Sequence, residues 1–295
     1  MVFNTLVSAL AFGLPVAQAA IPSIAGFTLT WSDDFVGSPN SLPNTANWIF
    51  DVGTSYPGAS ANWGTGEIQT YTSSTNNIRL DGNGALQITA IKDGAGAWTS
   101  ARIETQRGDF MAQAGGKMRI QASINVPDVG GNNIGYWPAF WALGTAFRGN
   151  YWNWPGIGEL DILESVNGLD SVWGTMHCGV TPGGPCRETD GLSGSRQCPG
   201  SSCWGNFHTY TLEVDRTQEL EAVRWFVDGI LYWQVVETDL PNDVWVQAIH
   251  SPQFVLLNLA IGGAMPDNKY GSRTPLATTA SGGTLQVEYV AVYNA

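Results

Sequence analysis

Within GIGELDILESVNG, Gly156 to Gly168, three carboxylates fall in six residues: Glu159, Asp161 and Glu164, interleaved with Leu160, Ile162 and Leu163. Only 13% of the 295 residues are charged, so a gathering of like charges calls for a chemical reason. Cleavage of a glycosidic bond is one. That chemistry needs a carboxylate that attacks the anomeric carbon or positions water, and a protonated partner that donates to the leaving oxygen. Carboxyls about 5–5.5 Å apart give retention, and pairs about 6.5–9.5 Å apart give inversion. Like charges held close raise one another's pKa, so the repulsion itself can yield an acid and a base from one residue type.

The chemistry requires an element that turns all three groups the same way. Pro155, Gly156 and Gly158 punctuate the chain just before ELDILE, which reads as a strand. In strict alternation Glu159 and Asp161 share a face, while Leu160 and Ile162 point into a core. Glu164 then has the wrong parity. Either it lies on the opposite face, or one extra residue bulges out between Asp161 and Glu164 and restores the alternation. With a bulge, all three carboxylates line one face. Successive same-face positions are about 6.6–6.8 Å apart along a strand, and the side chains can lean inward.

Such a strand needs a sheet. Met118, Ile120, Ala122, Ile124 and Val126 alternate with polar residues, and Tyr210, Leu212 and Val214 do the same in FHTYTLEVD. In VRWFVDGILYW, Asp228-Gly229 separates two apolar runs and predicts a hairpin. LQITAIK and LQVEYVAVY add strands, and no stretch carries a convincing helical period. Many short strands between Gly- and Asn-rich turns predict an all-β sandwich of two packed antiparallel sheets, one domain over residues 21–295. Thirteen tryptophans suit a groove as well as a core, because axial C–H groups of sugars lie flat on indole faces. Trp137 and Trp141 share a strand parity that could face such a groove. Asn258 is set on the opposite face from Leu257 and Leu259, where its amide could bind a hydroxyl.

The first twenty residues, MVFNTLVSALAFGLPVAQAA, form an apolar run closed by Ala17-Gln18-Ala19, as in a cleaved secretory leader. The run is short for a membrane span, and no second apolar tail suggests an anchor. Cys178, Cys186, Cys198 and Cys203 crowd one Gly- and Ser-rich stretch. In an exported chain they read as two disulfides with three pairings open; zinc is the competing reading, but paired C-x-x-C knuckles are absent. With 25 acidic and 13 basic residues the net charge is −12, which repels a phosphate backbone and excludes nucleic acid as a partner. An extracellular monomer is expected.

ELDILE resembles the catalytic signature of glycoside hydrolase family 16 in its longer, bulge-bearing form. WSDDF (31–35), EIQTYT (67–72), GALQITA (84–90), WTSARIET (98–105), GYWPAFWALG (135–144), TMHCG (175–179), FHTY (207–210) and FVLLNLAIGG (254–263) follow in family order. The resemblance implies a β-jelly-roll with a concave, sugar-binding sheet and retaining attack on a β-linked glycan. It implies Glu159 as nucleophile, Glu164 as general acid/base and Asp161 as their assistant. Trp154 resembles a stacking platform beside the cleavage point, and His177 a histidine beside the leaving-group site. Arg102 and Glu67 match positions near the non-reducing-side subsites. Glu288 aligns roughly with a ligand of a structural calcium, while catalysis would need no cofactor.

The longer motif is the laminarinase-like form, which implies an endo-β-1,3-glucanase acting on β-glucan, with mixed β-1,3/1,4-linkages as a further substrate. β-1,3-Galactan, transglycosylation on the same scaffold, and a non-catalytic lectin are the alternatives. The segment from Gly144 to Pro155 and the cysteine loop are extended relative to the simplest family pattern, and such loops can redirect a groove.

Overall fold

The computed structural model describes residues 20–295, so the expected leader, apart from Ala20, lies outside the described residues. The chain opens with β1 (Thr28–Asp33), β2 (Trp48–Asp51), β3 (Thr70–Tyr71), β4 (Ile78–Leu80), β5 (Leu86–Thr89) and β6 (Ile91–Lys92). There follow β7 (Trp98–Ser100), β8 (Arg102–Thr105), β9 (Lys117–Asn125), β10 (Tyr136–Gly144), β11 (Glu159–Glu164) and β12 (Val172–His177). The last six are β13 (Leu192–Arg196), β14 (Phe207–Asp215), β15 (Ala222–Val227), β16 (Ile230–Val236), β17 (Gln253–Ile261) and β18 (Thr284–Asn294). Among the described residues two α-helices interrupt them, α1 (Asn242–Ile249) and α2 (Ala264–Tyr270), besides three short 3-10 turns. The sequence led us to expect none; at eight and seven residues they are too short to print a period.

Hydrogen bonding sorts fifteen of the strands into two large antiparallel sheets, while β3, β7 and β6 form a small third one. One large sheet runs β16-β15-β14-β9-β18-β5-β4, with β1 also on β18; the other runs β13-β12-β11-β10-β17-β8-β2. The predicted alternation decides which side chains meet between them. Ile120, Ala122, Ile124, Leu212 and Val214 of the first sheet pack against Phe140, Leu160, Leu163, Leu257 and Leu259 of the second, all buried. This is the jelly-roll sandwich expected from the sequence. Asp228 and Gly229 turn β15 into β16 with φ of 49° and 73°, the left-handed pair that a two-residue hairpin demands.

Part of the outer face of the first sheet is also covered. Tyr289, Ala291 and Tyr293 pack under Ile21, Ile24 and Phe27, and the Tyr293 hydroxyl donates to the Pro22 carbonyl at 2.8 Å. The second sheet leaves its outer face open, and that face carries the carboxylates. The cysteines pair as Cys178–Cys186 and Cys198–Cys203, one of the three possible pairings, which leaves none for zinc. No helix among the described residues is long and apolar enough to cross a membrane.

Candidate active site

The register of β11 answers the parity question. Against β10, Glu159 faces Leu143, Asp161 faces Trp141, Leu163 faces Phe140 and Glu164 faces Ala139, so Ile162 is left without a partner. Against β12 the same shift falls between Asp161–Thr175 and Glu164–Trp173. Ile162 is the bulge residue, and both it and Leu163 are buried in the inter-sheet core. All three carboxylates therefore face the open side. A bulge disturbs the ladder, and the Asp161 carbonyl is met from the other sheet instead. Buried Trp225, on β15, donates its indole N–H to that oxygen at 2.7 Å.

Each carboxylate has its own surroundings. Trp137 donates its N–H to Glu164 Oε1 at 3.0 Å, and the Thr175 hydroxyl lies 3.5 Å from Oε2. Glu159 sits opposite His177 in the ladder. The imidazole Nε2 lies 3.4 Å from Asp161 Oδ2 and 3.9 Å from Glu159 Oε1, contacts of charge rather than well-formed hydrogen bonds. Asp161 Oδ2 is buried with no hydrogen-bond partner. On the far side of the ring, Nδ1 lies 2.7 Å from Glu188 Oε2, and the other Glu188 oxygen accepts the Cys178 N–H at 2.8 Å.

Burial works against a charge on His177, but Asp161 and Glu188 on either side of the ring raise its pKa well above the ordinary value. Both neighbouring carboxylates thus favour the protonated ring. Burial first, and then the charge of Asp161, push Glu159 and Glu164 both well above the carboxylate range, with His177 opposing the rise in each. A site in which two carboxyls resist ionisation together holds a proton that one of them can donate.

The carboxylates lie in a pocket of about 450 Å³ whose lining includes Trp137, Trp141, Trp154, Arg102, Asn258 and Glu67. Six of the seven binding residues expected from the sequence thus meet in one cavity. His177 is the exception: it is placed beside Glu159 and Asp161 rather than in the lining, with Trp154 tilted over it at 5.5 Å. Asn258 accepts the Trp141 N–H at 2.8 Å and donates to Tyr71 at 3.2 Å; Tyr71 in turn donates to Glu67 at 2.8 Å. Its amide orients the edge of Trp141. Arg102 pairs with Asp51 at 3.0 Å, and its guanidinium lies 4.7 and 4.8 Å from the rings of Trp63 and Trp141.

Several residues of the site escaped the sequence reading. Tyr56 and Tyr151 stack at 4.5 Å and join two loops from opposite ends of the sheet, and Trp152 ties them again by donating to the Gly58 carbonyl at 3.1 Å. Glu188 gave no signal from within the cysteine loop, whereas Thr175 shares parity with His177 and could have been found. Glu288 lies on β18 in the opposite sheet, where Oε2 accepts the Ser123 hydroxyl at 2.6 Å. The one convergence of three or more acidic or histidine side chains among the described residues is Glu159, Asp161 and His177. Glu288 belongs to no such group, so a calcium held there would draw on backbone carbonyl oxygens and water as well as its carboxylate.

A jelly-roll whose open sheet sets carboxylates among tryptophans has the build of an enzyme that cleaves polysaccharides. No family model matches the chain, but individual proteins do. It is 50% identical to the endo-1,3-beta-glucanase from Streptomyces sioyaensis, with a TM-score of 0.91 over 94% of this chain and 99% of that one. It is 31% identical to the beta-glucanase of Rhodothermus marinus, over 90% of this chain and 84% of that protein. Glucan endo-1,3-beta-glucosidase A1 of Niallia circulans is also 31% identical, over 92% of this chain, although the match spans only 38% of that longer protein. The chain belongs to glycoside hydrolase family 16.

Proposed function

We propose that the protein is a secreted, retaining endo-β-1,3-glucanase with one catalytic domain behind a cleaved leader. The observation that carries this reading is the bulged strand, which sets Glu159, Asp161 and Glu164 side by side in a pocket walled by tryptophans. The relatives named for β-1,3-glucan cleavage support the substrate, and the two disulfides together with the leader-like run support export.

In the first step a Glu159 oxygen attacks the anomeric carbon. The bond to the leaving oxygen breaks, and the proton on Glu164 passes to that oxygen. Trp137 fixes the Glu164 carboxyl from one side, so the proton is presented at a set angle. His177 flanks Glu159 and helps its carboxylate form where burial and the charge of Asp161 resist it. In the second step water attacks the same carbon, Glu164 takes its proton, and the bond to Glu159 breaks. Two displacements restore the starting configuration, and no cofactor enters either one.

Product analysis on laminarin, mixed-linkage glucan, β-1,3-galactan and xyloglucan, beside a Glu159→Gln variant, tests the reading. The expected outcome is short β-1,3-gluco-oligosaccharides from the parent and a loss of turnover of at least about a thousandfold in the variant. Release from galactan alone would move the substrate and keep the chemistry. Glycan binding without products from any polymer would replace the enzyme with a lectin.

A further inference from the structure

Glu164 has two cross-strand neighbours, and only one of them belongs to the pocket. Toward β10 the row continues through Ala139, Asn258 and Arg102, the side that the pocket encloses. Toward β12 the neighbour is Trp173, and beyond it on β13 stands Ser195. Val172 and Met176 are in the inter-sheet core, and Gly174 packs beneath Trp225, so Trp173 shares the open face with Thr175 and His177. Its ring is half-buried, and the exposed hydroxyl-bearing residues Ser193 and Ser195 leave the surface beside it low and wet. The Lys269 ammonium, from α2, lies 5.0 Å from the ring and braces it. That helix is itself held, with Asn167 donating to the Pro266 carbonyl at 2.9 Å and Asp267 accepting the Thr274 N–H at 2.7 Å.

We propose that Trp173 is the platform for the sugar on the leaving-group side, and so the residue that sets how well the site holds a departing or incoming glucosyl unit. This rests on the glucanase reading and deepens it. If the Arg102 side takes the non-reducing part of the chain, the sugar released by Glu164 must lie across β12, and the directly opposed position there is Trp173. Opposed residues on neighbouring strands stand about 4.5–5.5 Å apart at Cβ, close enough for one sugar to touch both. An indole face suits the axial C–H surface of an all-equatorial β-glucosyl ring. The same platform would receive an acceptor sugar once the glycosyl-enzyme has formed. Its hydroxyl oxygen then bonds to the anomeric carbon, the hydroxyl proton goes to Glu164, and the bond to Glu159 breaks, giving transfer in place of hydrolysis.

The test compares Trp173→Ala and Trp173→Tyr with the parent on two donors that share a glycone, a laminari-oligosaccharide and laminaribiosyl fluoride. Fluoride is too small to reach the platform. For Trp173→Ala, the expected fall in kcat/KM on the oligosaccharide is at least about tenfold greater than on the fluoride, with Trp173→Tyr recovering most of it. With added laminaribiose as acceptor, the ratio of transfer to hydrolysis should drop in the alanine variant. Equal losses on both donors would mean a merely structural role, and equal activities would mean no contact; either result overturns the proposal. A parent inert on both donors would overturn the underlying glucanase reading first.

Discussion

Glu159 and Glu164 are each held above the ordinary carboxylate value, by burial first and by Asp161 second. The folded protein therefore binds protons that the unfolded chain has already released. Stability should fall as the pH climbs from the ordinary value near 4.5 to the raised one, and level off above it. A Glu164→Gln variant keeps the shape and removes the charge. It is expected to be more stable than the parent at about pH 9, by roughly 1–3 kcal/mol, and nearly equal to it at about pH 4. Thermal melts at the two pH values check this, and a gain of the same size at both would contradict it. For turnover, the same shifts predict a bell-shaped profile: activity rises as Glu159 ionises and falls as Glu164 loses its proton. These carboxylates were legible in the sequence because three acids in six residues stand out in a chain poor in charge. Glu188 was not, because an irregular loop brings it to His177 across eleven positions and no periodicity marks the encounter.

The bulge is the element on which the site turns. Glu164 broke the alternation that Glu159 and Asp161 had set, so the strand's own pattern left two choices, an extra residue or a Glu164 on the opposite face. The partner of the bulge could not be anticipated. Trp225 lies 64 positions away on the other sheet, and its donor to the Asp161 carbonyl depends on how the two sheets are stacked. A Trp225→Phe variant would leave that carbonyl buried and unmet. The expected cost is about 1–3 kcal/mol in denaturant unfolding, together with a larger fall in kcat than in the KM term, since Glu164 is re-aimed while the platform residues stay. Unchanged kcat would separate the bulge from catalysis. Long strands were read well because their inward residues alternate over many positions, as Met118 to Val126 do on and just past β9. The short helices α1 and α2 and the contact between Tyr56 and Tyr151 were not, since short turns and loop-to-loop packing leave no repeating mark.

Over the whole molecule, 13 basic residues against 25 acidic ones leave a net charge of −12, yet the proposed substrate carries no charge. Encounter with a neutral glucan gains nothing from that field. Added salt up to about 0.5 M should change kcat/KM on laminarin by less than about twofold, because exposed charges are screened and the buried site pairs are screened much less. A steep salt dependence would point to a charged substrate instead. The cysteine loop has a consequence of another kind. Cys178 follows His177 directly, and Cys186 stands two residues before Glu188, so the Cys178–Cys186 bond ties the strand that carries the histidine to the approach of the carboxylate that braces it. Without that bond, Glu188 would keep its place only through its own hydrogen bonds and its pairing with Gly183. Under the proposed export, the bracing of His177 would thus be completed only where the surroundings are oxidising.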